Sequence, residues 1–564
     1  MAGALPGSVD TAGGEVRRAG SWAATLTLAA ITGAVTGAGV TAYELVTDRM
    51  LYERVLELPP VLQAILPAVG LAVALVVLRT IARGASPATA DDYIRVFHRR
   101  DEQMDPMPVP GRMLAGIATL GSGGALGFEG PSLYLGAAIG SAFQGRFGRF
   151  FRRADAKTLM VAGAAAGVAA IFKTPATGAV FALEVPYQDD TAHGHLLPAL
   201  TGAAVGYLVQ VAVVGTAPLF PVSGTPPFDL RELGGALLLG LLCGLGARGF
   251  SWMVRQAKFL GQDHHPAVRV GLAGATLAAL GGISWWLFGN MLALGTGYQV
   301  IERLGDPDMT VGLLAVLLVL RTLATGATLT GGGVGGLFIP LAVSGALVGR
   351  LIGVGLGLDT TTTLFAVVGV AAFLGAGYRT PLAGVMFVAE ATGQPGFVVP
   401  GLLAAVASQL VMGDASVSLY QHTRRMGHLE RRFSMAIASV IDAEVWTVPA
   451  DSTLDEFLDS MLLSRQTVVP VVEDGNRYVG IARVDLLGAI PRDEWDRHAV
   501  GEVADVELPT ARPDWTIREA VEAMERADTD VLAVVDDDRR YIGVVSIDEI
   551  VRLDEILARR DRPE

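Results

Sequence analysis

The chain has 564 residues, of which 51% are hydrophobic, and its mean hydropathy is +0.46. That composition excludes an ordinary soluble protein, and the length allows several domains. The net charge of −13 is unevenly spread: residues 431–564 carry −14, whereas residues 1–430 carry +1. The acidic tail is therefore expected to be a separate soluble domain, and its charge argues against binding nucleic acid.

The chain begins with a polar, Gly-rich stretch, 1–21, which lacks a signal-peptide cleavage pattern and is expected to be a cytoplasmic N-terminal segment. Apolar runs close to the ~20 residues that span a bilayer follow at roughly 22–46, 60–82, 196–215, 233–254, 267–288, 310–325 and 396–412. Two further runs, 157–184 and 362–392, are interrupted by Gly, Pro and charges, which predicts short or broken helices. These runs indicate a polytopic α-helical protein of the inner membrane.

The membrane part repeats itself, with halves at about 22–215 and 233–425. A shift of 209 residues aligns Gly127 with Gly336 and Pro131 with Pro340, and a shift of 206 aligns Glu184 with Glu390. Internal symmetry of this kind is typical of transporters whose broken helices point their N-termini at an anionic substrate. We therefore expect two inversely related halves with a binding site between them.

One carboxylate in this apolar sequence stands out, in the motif Gly127-Phe128-Glu129-Gly130-Pro131. A charged side chain at membrane depth costs several kcal/mol and is functional by default. Proline at a first helical turn predicts a helix start whose free N–H groups can hold an anion. The equivalent segment, Gly336-Leu337-Phe338-Ile339-Pro340, has the same design without the acid.

At these motifs the chain resembles the CLC family of chloride channels and proton/chloride antiporters. The resemblance implies that Glu129 is the gating glutamate, which competes with the transported anion for backbone N–H groups. It also implies anion donors at the amides of Leu337 and Phe338 and at the hydroxyl of Tyr420. A homodimer with one pore in each subunit is the expected assembly.

Three departures from the family pattern bear on function. The serine motif is degraded to Arg83-Gly84-Ala85-Ser86-Pro87, where Ser86 is either an anion ligand or an ordinary helix cap. Phe128 replaces an arginine beside the gate, which should weaken attraction of anions to the mouth. Val185 stands where antiporters of the family carry the intracellular proton acid, next to Glu184.

The tail repeats with a shift of 63, which aligns Tyr478 with Tyr541 and Asp485 with Asp548. Each unit predicts an amphipathic helix, two strands and a turn, the helices at 454–463 and 517–526. This α/β pattern resembles a pair of CBS modules, at 434–495 and 496–557. The junction holds Arg424, Arg425, Arg431 and Arg432, which places the tail in the cytoplasm.

CBS pairs of this kind often bind adenine nucleotides such as ATP or AMP, and the resemblance makes Thr453, Asp485, Thr516 and Asp548 the candidate ligands. The other interpretation of the tail is a structural dimerisation domain. The spacing before Asp485 and Asp548 departs from the nucleotide-binding pattern.

No enzyme activity, other cofactor or metal site is expected, because no P-loop, nucleophile elbow or zinc-binding helix motif is present. The glycine string 331–336 lies between membrane-length runs, so it does not indicate dinucleotide binding. The only cysteine, Cys243, is expected to be a small core residue.

The resulting hypothesis is a glutamate-gated passive channel for chloride or similar anions, with regulation by the CBS pair. Valine at 185 favours it over the first alternative, a proton-coupled chloride antiporter that uses another acid or water. The second alternative is a membrane-bound nucleotide sensor whose pore is silent.

Overall fold

The computed structural model describes residues 11–99, 102–147, 157–220, 230–306, 308–357, 364–424, 433, 435–464, 468–483 and 490–553. The chain forms two compact units, Met1–Arg425 and Met426–Glu564. Each unit is described by itself below.

The first unit is helical throughout. Its helices are α1 (Thr11–Glu44), α2 (Glu53–Leu56), α3 (Pro60–Thr80), α4 (Thr89–His98), α5 (Val109–Gly121), α6 (Glu129–Arg146), α7 (Thr158–Phe172), α8 (Pro175–Glu184), α9 (Leu196–Val214), α10 (Leu230–Asp263), α11 (Pro266–Phe288), α12 (Tyr298–Arg303), α13 (Val311–Thr330), α14 (Phe338–Gly355), α15 (Leu364–Tyr378), α16 (Pro381–Thr392) and α17 (Val398–Met412). A π-helical segment, Leu45–Tyr52, joins α1 to α2, and short 3-10 turns precede α9 and α17.

Eight helical segments in the described residues are long and apolar enough to cross a membrane. They correspond to the seven runs found in the sequence, with α14 (Phe338–Gly355) as the eighth. The two interrupted runs form the helix pairs α7–α8 and α15–α16, each broken just before a proline. The prediction of a polytopic membrane protein with broken helices is confirmed. One detail differs: α1 begins at Thr11, inside the segment 1–21 that was expected to precede the helices.

The internal repeat is visible as paired contacts between equivalent residues. The hydroxyl of Thr119 accepts from the Val334 amide at 3.1 Å, and the hydroxyl of its equivalent, Thr328, accepts from the Ala125 amide at 3.2 Å. Each threonine thus fixes the loop that follows the equivalent helix in the other half. Such reciprocal contacts are what a local two-fold axis between the halves produces.

The breaks in the short helix pairs are equivalent as well. Lys173 and Arg379, which differ by the 206-residue shift, both adopt the left-handed conformation, with φ of 55° and 58°. This conformation is uncommon for a side chain larger than glycine, so its occurrence at both breaks shows that the two halves turn the chain in the same way.

The second unit contains two modules of similar design. The first has β1 (Val448–Pro449), α18 (Leu454–Ser464), β2 (Val468–Glu473) and β3 (Arg477–Arg483); the second has α19 (Val500–Val503), α20 (Ile517–Ala527), β4 (Val531–Val535) and β5 (Tyr541–Ser546). Strands β2 and β3 pair antiparallel, as do β4 and β5, and both hairpins shift register at equivalent positions, Val471/Val472 and Val534/Val535. The predicted helices and hairpins of the tail are confirmed.

Candidate functional site

The site is built around two helix starts that face each other. Gly127 and Gly336, which the 209-residue shift aligns, exchange backbone hydrogen bonds of 2.9 Å and 2.8 Å as an antiparallel bridge. Helix α6 begins two residues after the first glycine and α14 two residues after the second. A β-carbon on Gly336 would also lie 2.5 Å from the backbone nitrogen of Gly130, so this close approach requires glycine at 336.

Glu129 lies between the two helix starts and is only 1% exposed. Its Oε1 accepts a hydrogen bond from the backbone N–H of Phe338, the first residue of α14. Its Oε2 has no partner among the described residues. The carboxylate of one half is therefore held by the helix N-terminus of the other, where the helix dipole favours a negative charge.

Aromatic rings surround this contact. The Phe338 ring stacks on Phe172 at 4.7 Å between centroids and meets Phe181 and Phe387 edge-on at 5.2 Å and 4.8 Å. Phe128 is also buried and packs edge-on against Tyr43. In this apolar surrounding the electrostatic preference of the Phe338 amide for an anion is strengthened, because little water competes for it.

Leu337 and Phe338, predicted as anion-binding amides, lie together at this site. The Leu337 N–H donates to the hydroxyl of Tyr378 at 3.4 Å, and Tyr378 is only 3% exposed. The tyrosine predicted there, Tyr420, is 46% exposed and lies on the wall of the adjoining cavity. The structure therefore brings Tyr378 to the Leu337 amide, and the role of Tyr420 stays a prediction.

Tyr378 was missed in the sequence although the repeat pointed to it. The shift of 206 aligns it with Phe172, which ends α7 and stacks on Phe338. Tyr378 is the equivalent ring at the end of α15. Only the second ring carries a hydroxyl. A hydroxyl on one member of a symmetric aromatic pair, inside an apolar run, is the signal that would have found it.

We expect the Tyr378→Phe variant to bind chloride more weakly, by up to about tenfold, because one neutral hydrogen bond contributes about 0.5–1.5 kcal/mol. Isothermal titration calorimetry of chloride into the detergent-solubilised protein measures this. Tyr420→Phe is the matched control, since the same atom is removed from a ring on the same cavity. A weaker affinity in the control and an unchanged one in Tyr378→Phe would give the role to Tyr420.

The expected helix cap at Ser86 differs in the structure. Helix α4 begins at Thr89, and the hydroxyl of Ser86 instead accepts from the Ala88 amide at 3.2 Å, within the preceding turn. Proline at position 87 therefore precedes the helix rather than opening it. The buried hydroxyl at the start of α4 belongs to Thr89, which is 1% exposed and has no hydrogen-bond partner among the described residues.

Thr89 is also close to Gly130, the residue after Glu129. Its Oγ1 would lie 2.8 Å from a β-carbon placed on Gly130, the residue after Glu129. Acidic residues follow it in the first turn of α4, Asp91 and Asp92, as is usual near a helix N-terminus. The start of α4 thus brings the Thr89 hydroxyl toward the two glycine-rich helix starts.

A cavity of about 810 Å³ leads to this point. Its wall includes Ser86, Thr89, Leu337, Tyr378 and Tyr420. All five are predicted site residues or their structural replacements, so the cavity reaches the candidate anion site. Its wall also carries four arginines, three of which pair with acids of the same wall, so its charge is largely balanced.

Val185 is 1% exposed, and no acid replaces it in the chain at that point. Its carbonyl oxygen accepts from the Gln421 side chain at 2.8 Å. The same amide group donates to the carbonyl of Tyr378 at 2.7 Å. Gln421, which the sequence did not single out, therefore ties the end of α8 to the end of α15.

The neighbouring glutamate has a structural partner in the other half. The Glu184 carboxylate accepts from the amides of Leu382 and Ala383 at 3.1 Å and 2.9 Å, at the start of α16. Its equivalent, Glu390, accepts from the amides of Ala176 and Thr177 at 2.9 Å and 2.7 Å, at the start of α8. Each glutamate thus caps the helix that carries the other.

The tail candidates belong to the second unit. Thr453 and Thr516 both cap helices: the Thr516 hydroxyl accepts from the Glu519 amide, and the Glu519 carboxylate accepts from Thr516 in return. The bonds from the backbone and hydroxyl of Thr516 lower the pKa of Glu519. Asp548 is exposed just after β5, and Asp485 lies outside the described residues. Nucleotide binding by these four residues stays a prediction.

The fold and site define a class of membrane transport protein in which two related halves direct helix starts at one buried anion position. The sequence profile described as voltage gated chloride channel matches residues 69–413, and the CBS domain profile matches residues 437–490 and 500–555. The chain belongs to the voltage-gated chloride channel (CLC) family and carries a CBS pair.

Curated relatives include the H(+)/Cl(-) exchange transporter ClcA of Citrobacter koseri, 29% identical over 314 residues, and that of Salmonella typhi, 27% identical over 312 residues. In both cases the match covers 54% of this chain and 65% of the relative, so the chain spans about two thirds of the length of the relatives it matches.

Solved structures share the fold. One described as a CLC-type fluoride/proton antiporter has a TM-score of 0.61 at 23% identity and covers 71% of this chain and 98% of its own. Another, of a slow cyanobacterial Cl⁻/H⁺ antiporter, has a TM-score of 0.61 at 19% identity, covering 69% and 94%. A eukaryotic CLC transporter covers 93% and 97% at 18% identity, with a TM-score of 0.58.

Proposed function

We propose that this protein exchanges chloride or a similar small anion for protons across the cell membrane. The observation that carries the proposal is the Glu129 carboxylate on the Phe338 amide, fully buried and with one oxygen unpartnered. A group in that position is both a substitute for the anion and a base. It therefore links the movement of an anion to the gain or loss of a proton.

The cycle follows from competition for one amide. Ionised, Glu129 occupies the N-terminus of α14 and excludes an anion from it. Protonated, the carboxyl group loses its attraction to the helix dipole and leaves the amide of Phe338 to the anion. Beside that position the Leu337 amide donates to the hydroxyl of Tyr378, whose own proton is then available to the anion.

The passive channel, which the valine at 185 favoured, is now the second candidate. The relatives that the chain matches are named as exchangers, and a buried base at the anion site is what an exchanger requires. Val185 then means that the inner proton acceptor lies elsewhere in this chain. A silent pore with a sensing tail finds no support in the site, where Glu129 and both amides are in place.

The orientation and assembly are proposed on the same basis. Basic residues 424, 425, 431 and 432 between the units support a cytoplasmic CBS pair in an inner-membrane protein. A homodimer stays a prediction, which light scattering of the detergent-solubilised protein would check.

The wild-type protein in liposomes tests the exchange. An outward chloride gradient should drive protons into the liposomes against their own gradient, and the uptake should continue when the membrane potential is clamped with potassium and valinomycin. Empty liposomes under the same gradient are the control. Chloride efflux without any proton uptake would establish the channel in place of the exchanger.

A further inference from the structure

An ion pair on the cavity wall involves two residues that the sequence did not single out. Lys258 on α10 donates to Oδ2 of Asp91 in the first turn of α4 at 2.5 Å. The side chains are 11% and 21% exposed, for Asp91 and Lys258 respectively, and both line the cavity that reaches Leu337 and Tyr378. The pair therefore lies on the route between the surface and the candidate anion site.

Asp91 is the acid of this cavity that pairs with a lysine. Its neighbour Asp92 is held by two arginines, Arg95 at 2.8 Å and Arg112 at 2.6 Å. Arginine is not deprotonated under ordinary conditions, so these two partners of Asp92 keep their charge. The other acids, Glu102 and Asp105, lie toward the mouth, where Glu102 is paired with Arg99 and Arg95.

Lys258 can exchange one partner for another. Its ammonium group carries three N–H donors on a flexible stem. One is directed to Asp91 and a second to the carbonyl of Val417 at 3.3 Å. Lys258 lines the cavity, so an anion that moves toward Leu337 can take the place of one of these partners.

A buried hydroxyl of the same helix lies against Gly130, the residue after Glu129. Thr89 precedes Asp91 by two residues in the same helical turn, and its Oγ1 is buried, without a partner among the described residues, and placed against Gly130. A hydroxyl can accept one proton and donate another. The cavity thus holds an acid, and beyond it a hydroxyl adjacent to Glu129.

We propose that Asp91 is the inner proton acceptor of this exchanger, in place of the acid missing at Val185, and that it accepts its proton when Lys258 turns to a passing anion. The proposal rests on the exchange function proposed above. It assigns the proton route to the α4 side of the cavity.

The proton moves from cavity water to Asp91 and from there to Glu129. When the ammonium pairs with the anion, the Asp91 carboxylate is left buried without its counter-charge, which favours its neutral form. A hydronium ion of the cavity water transfers its proton to Oδ2 and becomes water. The Asp91 carboxylic acid then passes that proton, through water or the Thr89 hydroxyl, to the carboxylate of Glu129. Asp91, ionised again, pairs with Lys258.

The test compares Asp91→Asn with wild-type protein in the liposome assay, measuring chloride and proton fluxes together. We expect chloride flux within about twofold of wild type and at least tenfold less proton movement per chloride. Asp105→Asn is the matched control, since it removes the same charge from an exposed acid on the same cavity. It should keep the wild-type ratio of protons to chloride.

The outcomes separate the two proposals. Proton uptake by wild type and by Asp91→Asn at the same ratio overturns the role of Asp91 alone. No uptake by wild type overturns the exchange function, and the role of Asp91 with it.

Asp91→Asn leaves the Lys258 ammonium buried and unpaired. If that change abolishes all flux, a second variant tests the proposal. Asp91→Asn/Lys258→Met removes both charges. Recovery of chloride flux without protons supports the proposal, whereas recovery of both, or of neither, overturns it.

Discussion

Replacing Glu129 with alanine should abolish chloride-driven proton uptake while chloride continues to move. The substitution removes the carboxyl group that lies at the Phe338 amide and can carry a proton, and it frees that amide for the anion. Chloride flux should also lose its dependence on external pH, because no carboxyl group at the site remains to be protonated. Paired chloride and proton recordings from liposomes measure both effects.

Glu129→Gln separates the charge of the side chain from its bulk. The glutamine side chain is neutral like the protonated acid, so it should leave the Phe338 amide to the anion, but it has no proton to release. We expect no proton uptake, and chloride flux as in the alanine variant. Proton uptake that persists in Glu129→Ala would remove Glu129 from the proposed cycle.

The second large effect concerns stability. Glu184→Ala should lower the free energy of unfolding by about 1–3 kcal/mol, because the buried Ala383 amide loses its acceptor and a buried unpaired N–H costs about that much. Glu390→Ala removes the equivalent cap from α8 and should act in the same direction. Thermal unfolding of the detergent-solubilised protein measures both changes.

The control for these caps is Glu57→Ala, which removes an exposed carboxylate of the same size. Its melting temperature should equal that of wild type. If Glu184→Ala melted like Glu57→Ala, the reciprocal caps would contribute nothing to holding the two halves together.

Much of the membrane fold could be predicted because its signals are local. Runs of apolar residues fix the long helices, and proline after a threonine marks the breaks before α8 and α16. The repeat then predicted which elements meet, and the bridge between Gly127 and Gly336 is the direct result. Glu129 was found because a carboxylate in apolar sequence is costly.

The residues that were missed depend on packing that no local pattern encodes. Tyr378 reaches the Leu337 amide only because α15 ends beside α14, and Gln421 joins α8 to α15 from a segment distant in sequence. Helix α4 begins at Thr89 rather than at Ser86, because the chain first closes a turn at Ala88. The family pattern supplied the residue types expected at the site but not these changes of position.

The central claim is that anion and proton movements are coupled through Glu129. The most direct measurement is the membrane potential at which chloride flux through wild-type protein in liposomes falls to zero, at fixed chloride gradient and varied pH gradient. Coupled exchange predicts that this potential shifts systematically with the pH gradient. A potential that stays at the value set by chloride alone, whatever the pH gradient, would contradict the account.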